Sequence, residues 1–326
     1  MIEQKWRPNL FELAKKPSLF TSGHRLCSGC AAGTIVRMVM MALPNPERTI
    51  IANATGCLEV ASTIFPYTAW KLPWIHNAFE NAAATASGIE AAFKALKRKG
   101  LWKKDIPDII AFGGDGGTYD IGLQALSGAI ERGHDFTWIL YDNEAYMNTG
   151  IQRSGSTPFA AATTTSPAGK VIPGKMEWKK PIGFIIAAHM NAYVATANPY
   201  YWQDLMKKVR KAVLYKGPSF LHVISTCDRG WRFDPSQSMI ISKLATDTCL
   251  HPLWEFDPET RTYSLTDRSL YIAKHPDQKL PVERYLETQG RFRHLFKPKR
   301  RDDLIKEIQE RVDKEWEYLL KLTGFS

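Results

Sequence analysis

The apolar positions along the chain alternate between helical and extended patterns. Residues 31–43 read as a helix directly after "CSGC", and "TIIAN" at 49–53 reads as a short strand. Residues 79–98, "FENAAATASGIEAAFKALKR", are Ala-rich and helical, with small residues that allow close packing on a sheet. A β-rich run at 108–113, an amphipathic stretch at 120–132 and the near-continuous apolar run "DFTWILYD" at 135–142 form strand, helix and strand. That succession is a βαβ unit, which implies a right-handed crossover and a parallel sheet. A long Gly, Ser, Thr and Pro-rich loop follows, "NTGIQRSGSTPFAAATTTSPAGKVIPGKMEWKKP". Loops of this length in a compact domain are functional or disordered. A helix near 201–214 and the strand "SFLHVIS" at 219–225 complete the alternation.

The fold class expected is α/β, a doubly wound, mostly parallel sheet with an irregular C-terminal extension ending in a helix. The expected division is 1–235 for the α/β domain and 236–326 for an extension packing on it or on a partner. The extension holds a short hairpin at "LWEFDPETRTYSL" and a final helix near 302–322. There Leu304, Ile308, Val312, Trp316 and Leu319 fall on one stripe, a packing face.

Composition adds little to this picture. With 326 residues, 44% of them hydrophobic, the chain is long enough to bury a sizeable core. No apolar run approaches the roughly 20 residues that cross a bilayer. The N-terminus lacks the order of a signal peptide, so a cytoplasmic location with reduced thiols is expected. The net charge of +10 gathers at "KALKRKGLWKKD" and "FKPKRRDDL". No nucleic-acid reading module accompanies it. The charge is a solvated surface or a docking face for an acidic protein.

Candidate chemistry begins at Gly113-Gly114-Asp115-Gly116-Gly117, at the carboxyl end of a predicted parallel strand. Ligands bind at that edge of open α/β sheets, and glycines let backbone amides approach phosphate oxygens. A carboxylate there repels phosphate unless a hard cation lies between them, and Mg²⁺ commonly bridges one carboxylate to substrate phosphates. The next strand ends in Asp142-Asn143-Glu144-Ala145, which would bring Asn143 beside Asp115. An amide oxygen and a backbone carbonyl from that turn would add ligands. The spacing matches the thiamine diphosphate motif. A tight turn with a helix-capping Asp is the plain alternative.

Of the five cysteines, Cys27 and Cys30 form a chelating pair. Cys57 in "NATGC" and Cys227 in "ISTCDRGW" each follow a predicted strand, at the same edge as Asp115. Four thiolates there would bind zinc or an iron–sulfur cluster. A redox CxxC and buried structural thiols stay open as alternatives. Cys249 reads as a small core residue. Thiamine diphosphate expels CO₂ from a 2-oxo acid and leaves an electron-rich enamine. A nearby [4Fe–4S] cluster would accept its electrons, whereas zinc has no accessible redox couple.

The motifs in combination resemble the 2-oxoacid:ferredoxin oxidoreductase family, in particular the thiamine-diphosphate-binding β subunits of its pyruvate members. The resemblance runs from "GHRLCSGC" through "ANATGCLEVASTIFPYTAW", "GGDGGTYDIGLQALSGAIERGHD" and "YDNEAYMNTGIQRSGS" to "STCDRGWR", with a weaker match at "QGRFRHLF". It implies cluster ligation by Cys27, Cys30, Cys57 and Cys227. It implies Mg²⁺ bound by Asp115, Asn143 and the carbonyl of Ala145. The diphosphate would lie against Gly114, Asp115, Gly116 and Gly117 and the loop Asn143, Glu144, Ala145, Tyr146, Met147 and Asn148. Asn148 would stand near the reacting carbon, and Cys57 would also touch the cofactor. Two positions depart from relatives: Ala32 replaces a cofactor-contacting Glu, and Asp228 replaces a Pro.

The activity implied is conversion of pyruvate, coenzyme A and oxidised ferredoxin to acetyl-CoA, CO₂ and reduced ferredoxin. Branched-chain 2-oxo acids, aryl-glyoxylates or oxalate are alternative substrates. A non-redox thiamine decarboxylase with structural zinc and a basic scaffold protein are alternative functions. No ferredoxin-type run of cysteines occurs in the chain. The resemblance therefore implies an α subunit supplying the activating Glu, and γ and δ subunits carrying further clusters.

Overall fold

The computed structural model describes residues 6–325. Met1–Lys5 and Ser326, which the expected domain limits include, lie outside the described residues. Eight strands form one sheet in the order β2-β1-β3-β4-β6-β5-β7-β8. They are β1 (Thr49–Ala54), β2 (Trp74–Asn77), β3 (Asp108–Gly114), β4 (Thr137–Asp142), β5 (Tyr193–Ala197), β6 (Ser219–Ile224), β7 (Trp254–Asp257) and β8 (Thr262–Leu265). The first six in that order are parallel, and β7 and β8 run antiparallel at the far edge.

The central strands β4 and β6 are buried at every position. Strands covered on both faces read as continuous apolar runs, which is why "TWILYD" and "SFLHVI" were legible. Successive side chains serve opposite layers. Ile110, Phe112, Ile139 and Tyr141 pack with the helices Ala31–Ala42 and Trp202–Leu214. Ala111, Trp138 and Leu140 pack with Ala82–Arg98 and Leu123–Glu131.

The stretch after 235 is more regular than its sequence suggests. It contains the helices Ser238–Asp247 and Asp267–Lys274, and the predicted hairpin is β7 and β8, which extend the main sheet. The final helix, Asp302–Leu322, buries Leu304, Ile308, Val312, Trp316 and Leu319 in the same apolar cluster as Trp138, Trp254 and Leu265. No helix among the described residues is long and apolar enough to cross a membrane.

The crossover expected at 120–132 begins earlier. A wide π turn over Gly116–Asp120 leads into Leu123–Glu131. Strand β2 and the short helix Cys57–Ser62 were not anticipated. The former is a four-residue edge strand with two exposed positions, too short to carry a period.

Close packing at the end of β3 gives a test. A Cβ on Gly113 would lie 2.4 Å from the ring of Trp138 and 3.0 Å from Thr118 Oγ1. Trp138 is buried and its indole N–H donates to that same hydroxyl at 3.2 Å, so neither can yield freely. Gly113→Ala is expected to destabilise the protein by about 1–3 kcal/mol, read as a lower thermal midpoint with unchanged secondary structure.

Candidate active site

Four parallel strands deliver the candidate residues to one rim. Register decides which meet. Gly114 at the end of β3 pairs with Tyr141, so Asp115 falls beside Asp142. Asp142 pairs with Ile224, which sets Asn143 next to Ser225. The chain leaves β1 for β2 on one side and returns to β3 on the other, so strand order reverses between β1 and β3. Open α/β sheets bind ligands at that reversal.

A narrow crevice opens there. Cys57, Gly114, Asp115, Gly116, Gly117, Asn143, Ala145, Tyr146, Met147 and Asn148 all line it. Thr55, Gly56, Phe79, Tyr141 and Thr149 line it too and were not singled out from sequence. Glu144 does not. Its backbone takes φ 66°, and its carboxylate is fully buried elsewhere, against Lys179 at 3.0 Å and Arg291 at 2.6 Å. The left-handed turn at Glu144 allows its neighbours to face the crevice while its own side chain faces inward.

The two aspartates of the rim are differently supplied. Asp142 accepts from Ser156 at 2.6 Å, Lys179 at 2.7 Å, Tyr119 at 3.0 Å and lies 2.7 Å from His222 Nε2. Burial alone would raise its pKa, but Lys179 and His222 overcome that and hold the carboxyl far below the usual range. Asp115 is equally buried, and its Oδ2 has no partner. Burial first, and then the charge of Asp142, push its carboxyl well above the usual range. The Asn143 amide nitrogen donates to Asp115 Oδ1 at 2.9 Å and to the carbonyl oxygen of Ala145 at 2.8 Å, and turning the amide over would set its oxygen there instead. With the amide oxygen turned inward, three oxygens converge. An octahedral Mg²⁺ shell at about 2.1 Å sets neighbouring oxygens about 3 Å apart. With the amide turned over, the residues present fit such an ion through Asp115 Oδ1, and the unpaired Oδ2 belongs to the same carboxylate. The hydroxyl of Tyr141 in the same crevice is also buried without a partner.

The cysteines arrive from three directions. Cys27 and Cys30 close a turn, with Cys30 N donating to Cys27 O at 3.1 Å, ahead of the helix Ala31–Ala42. Ala31 N bonds Thr226 O at 3.1 Å and ties that turn to the loop after β6. Cys57 opens a helix after β1, and Cys227 caps one after β6. All are free thiols. Burial pushes Cys30 and Cys57 up to about 12, and in each case charge on Cys227 and Cys27 would push further. Burial also raises Cys227. Cys249 faces a different set, Lys279, Asp247, Asp313 and Arg268, and sits in the apolar core. Among the described residues no three of His, Cys, Asp and Glu are gathered closely enough for a single ion. Four thiolates around one zinc must lie within about 4 Å of each other. The quartet is near-neighboured without that spacing.

The family model for the thiamine pyrophosphate enzyme, C-terminal TPP binding domain, matches residues 54–223. Pyruvate synthase subunit PorB of Thermotoga maritima is 51% identical over 95% of this chain and 94% of its own. The subunit of the same name from Methanocaldococcus jannaschii is 50% identical over 92% and 96%. The chain belongs to the 2-oxoacid:ferredoxin oxidoreductase family. Ketoisovalerate oxidoreductase subunit VorB of Pyrococcus abyssi, 41% identical over 93% of each chain, is a further member of it. A 2-oxoglutarate:ferredoxin oxidoreductase structure from Magnetococcus marinus aligns with a TM-score of 0.52 at 19% identity, covering 74% of this chain and 80% of that one. That likeness supports the fold alone. The matched thiamine pyrophosphate region begins at β1 and ends in β6, and so encloses the crevice.

The crevice is shaped by a missing side chain. A Cβ on Gly116 would lie 2.1 Å from the ring of Tyr146, whose hydroxyl bonds Asp120 at 3.2 Å. Gly116→Ala is expected to push that ring across the crevice. Retention of thiamine diphosphate should fall by more than about tenfold, measured as cofactor content after gel filtration, with the fold intact by circular dichroism.

Proposed function

We propose that this chain is the thiamine-diphosphate-binding subunit of a pyruvate synthase. The reaction takes pyruvate, coenzyme A and oxidised ferredoxin to acetyl-CoA, CO₂ and reduced ferredoxin. The full-length likeness to PorB subunits supports the substrate over other 2-oxo acids. One observation carries the redox part of the reading. Cys57 lines the crevice with Asp115 and stands at the same sheet rim as Cys227, whose loop is tied to the Cys27–Cys30 turn by the Ala31 N–H bond to Thr226 O. The cofactor crevice and the thiol quartet therefore share a residue.

In this reading Asp115 Oδ, the Asn143 amide oxygen and the Ala145 carbonyl hold Mg²⁺. The backbone from Gly114 to Gly117 and the loop Asn143–Asn148 receive the diphosphate, and Asn148 stands near the reacting carbon. Cys27, Cys30, Cys57 and Cys227 hold a [4Fe–4S] cluster, a cage wider than a single zinc. When bound, thiamine diphosphate supplies a site for carbanion chemistry and the cluster supplies a one-electron acceptor. This chain's own part is to bind and orient. Asp142, paired with Lys179 and hydrogen-bonded by His222, Ser156 and Tyr119, keeps the β4 turn fixed without competing for the ion. An α subunit contributes the activating Glu, γ and δ subunits carry electrons onward to ferredoxin, and the complex works in the cytoplasm.

Anaerobic purification of the complex tests this directly. Iron and acid-labile sulfide in equal amounts, stoichiometric thiamine diphosphate and coenzyme A-dependent CO₂ release from pyruvate are the expected results. Zinc without sulfide would contradict the redox reading. Asp115→Ala should lose bound Mg²⁺ and thiamine diphosphate while its iron content stays at the parent level. Cys227→Ser should lose or convert the cluster, read by absorbance near roughly 400 nm, whereas Cys249→Ser should leave iron unchanged.

A further inference from the structure

The C-terminal motif "QGRFRHLF" has no part in the site described so far, yet it reaches the centre of it. Arg291 is buried and donates to Glu144 at 2.6 Å. Its guanidinium lies 4.0 Å over the ring of Trp231, and the Trp231 indole N–H donates to the Asn143 carbonyl at 2.7 Å. Gln289 accepts from Arg291 Nε at 2.8 Å and donates to the Tyr285 carbonyl, which fixes the fork. The preceding Gly290 N–H bonds the Arg232 carbonyl at 3.1 Å, one residue past Trp231. One side chain thus holds both sides of the candidate centre. It clamps the turn of Asn143 and Ala145 through Glu144, and it braces the helix Asp228–Trp231 that Cys227 caps.

We infer that Arg291 is a positioning residue for the magnesium turn, acting through Glu144 and Trp231, and that it sets the affinity for Mg²⁺ and thiamine diphosphate. The inference rests on the function proposed above. Glu144 occupies a left-handed backbone conformation, unfavourable for a residue with a side chain, and anchoring of that side chain adds to the bonds of its own N–H to Asp142 and of its carbonyl to Thr157 in holding the turn. Arg291 and Lys179 anchor it from two sides. A second shell of this kind orients ligands without touching the ion. The planar fork and the ring stack both require Arg.

The test uses the anaerobically purified complex, stripped with a chelator and titrated with Mg²⁺ and thiamine diphosphate. Losing Arg291 alone leaves the buried Glu144 carboxylate with Lys179 as its remaining cation, so the informative variant is Arg291→Met with Glu144→Gln, which removes both partners of the pair. Trp231→Phe keeps an aromatic ring beneath the guanidinium and deletes the N–H together with part of the indole. The expected result is an apparent Kd raised about 10- to 100-fold in the double variant and raised to a smaller extent in Trp231→Phe. Iron content and the melting temperature of the stripped complex should stay near the parent values, and saturating cofactor should restore turnover. Titration curves of both variants lying on that of the parent overturn the inference, whatever happens to the melting temperature. If the double variant does not fold, Trp231→Phe decides alone. A parent complex that takes up no thiamine diphosphate removes the proposed function, and the clamp with it. A parent that binds and variants that bind equally remove only the clamp.

Discussion

Two carboxylates buried at neighbouring strand ends impose the strongest constraint on this molecule. Asp115 and Asp142 stand side by side because β3 and β4 are parallel and in register. Like charges in a dry interior oppose each other, and only counter-charge and hydrogen bonds make them tolerable. The chain supplies these fully to one of them. Asp142 receives the Lys179 cation and hydrogen bonds from His222, Ser156 and Tyr119. Asp115, which lines the crevice, keeps a buried oxygen with no partner. In the proposed function a divalent cation completes that imbalance, and the cofactor's phosphates follow the cation.

Much of this was legible because central strands announce themselves. The βαβ unit, the Gly-Asp-Gly bed and the cysteines after strands lie in local sequence, and a parallel sheet carries them to one edge. Less legible were features fixed by tertiary contact. Edge strand β2 and the helix at Cys57 are too short to show a period. The hairpin of β7 and β8 was visible, but not that it would pair with β5. His222 hides inside an apolar strand, and Lys179 inside a long loop. A polar residue in an otherwise apolar run was the available signal for His222.

Glu144 and Arg291 teach the same lesson more sharply. The family resemblance implied that Glu144 lies with its neighbours Asn143 and Ala145 on the cofactor. The backbone at φ 66° turns it inward instead, toward a residue far along the chain. The C-terminal stretch, which pattern alone sets apart, supplies that residue. Residues before and after 235 therefore share the sheet, the apolar core and the support of the rim.

The central claim is spatial: a magnesium-held thiamine diphosphate and a four-thiolate iron cluster occupy one rim of one sheet. A crystal structure of the anaerobically purified complex, with anomalous data collected across the iron edge, measures it most directly. The account predicts an iron peak enclosed by Cys27, Cys30, Cys57 and Cys227, and a separate light ion between Asp115 and a diphosphate. An iron peak elsewhere, a zinc signal amid the four sulfurs, or a diphosphate remote from Asp115 would contradict it.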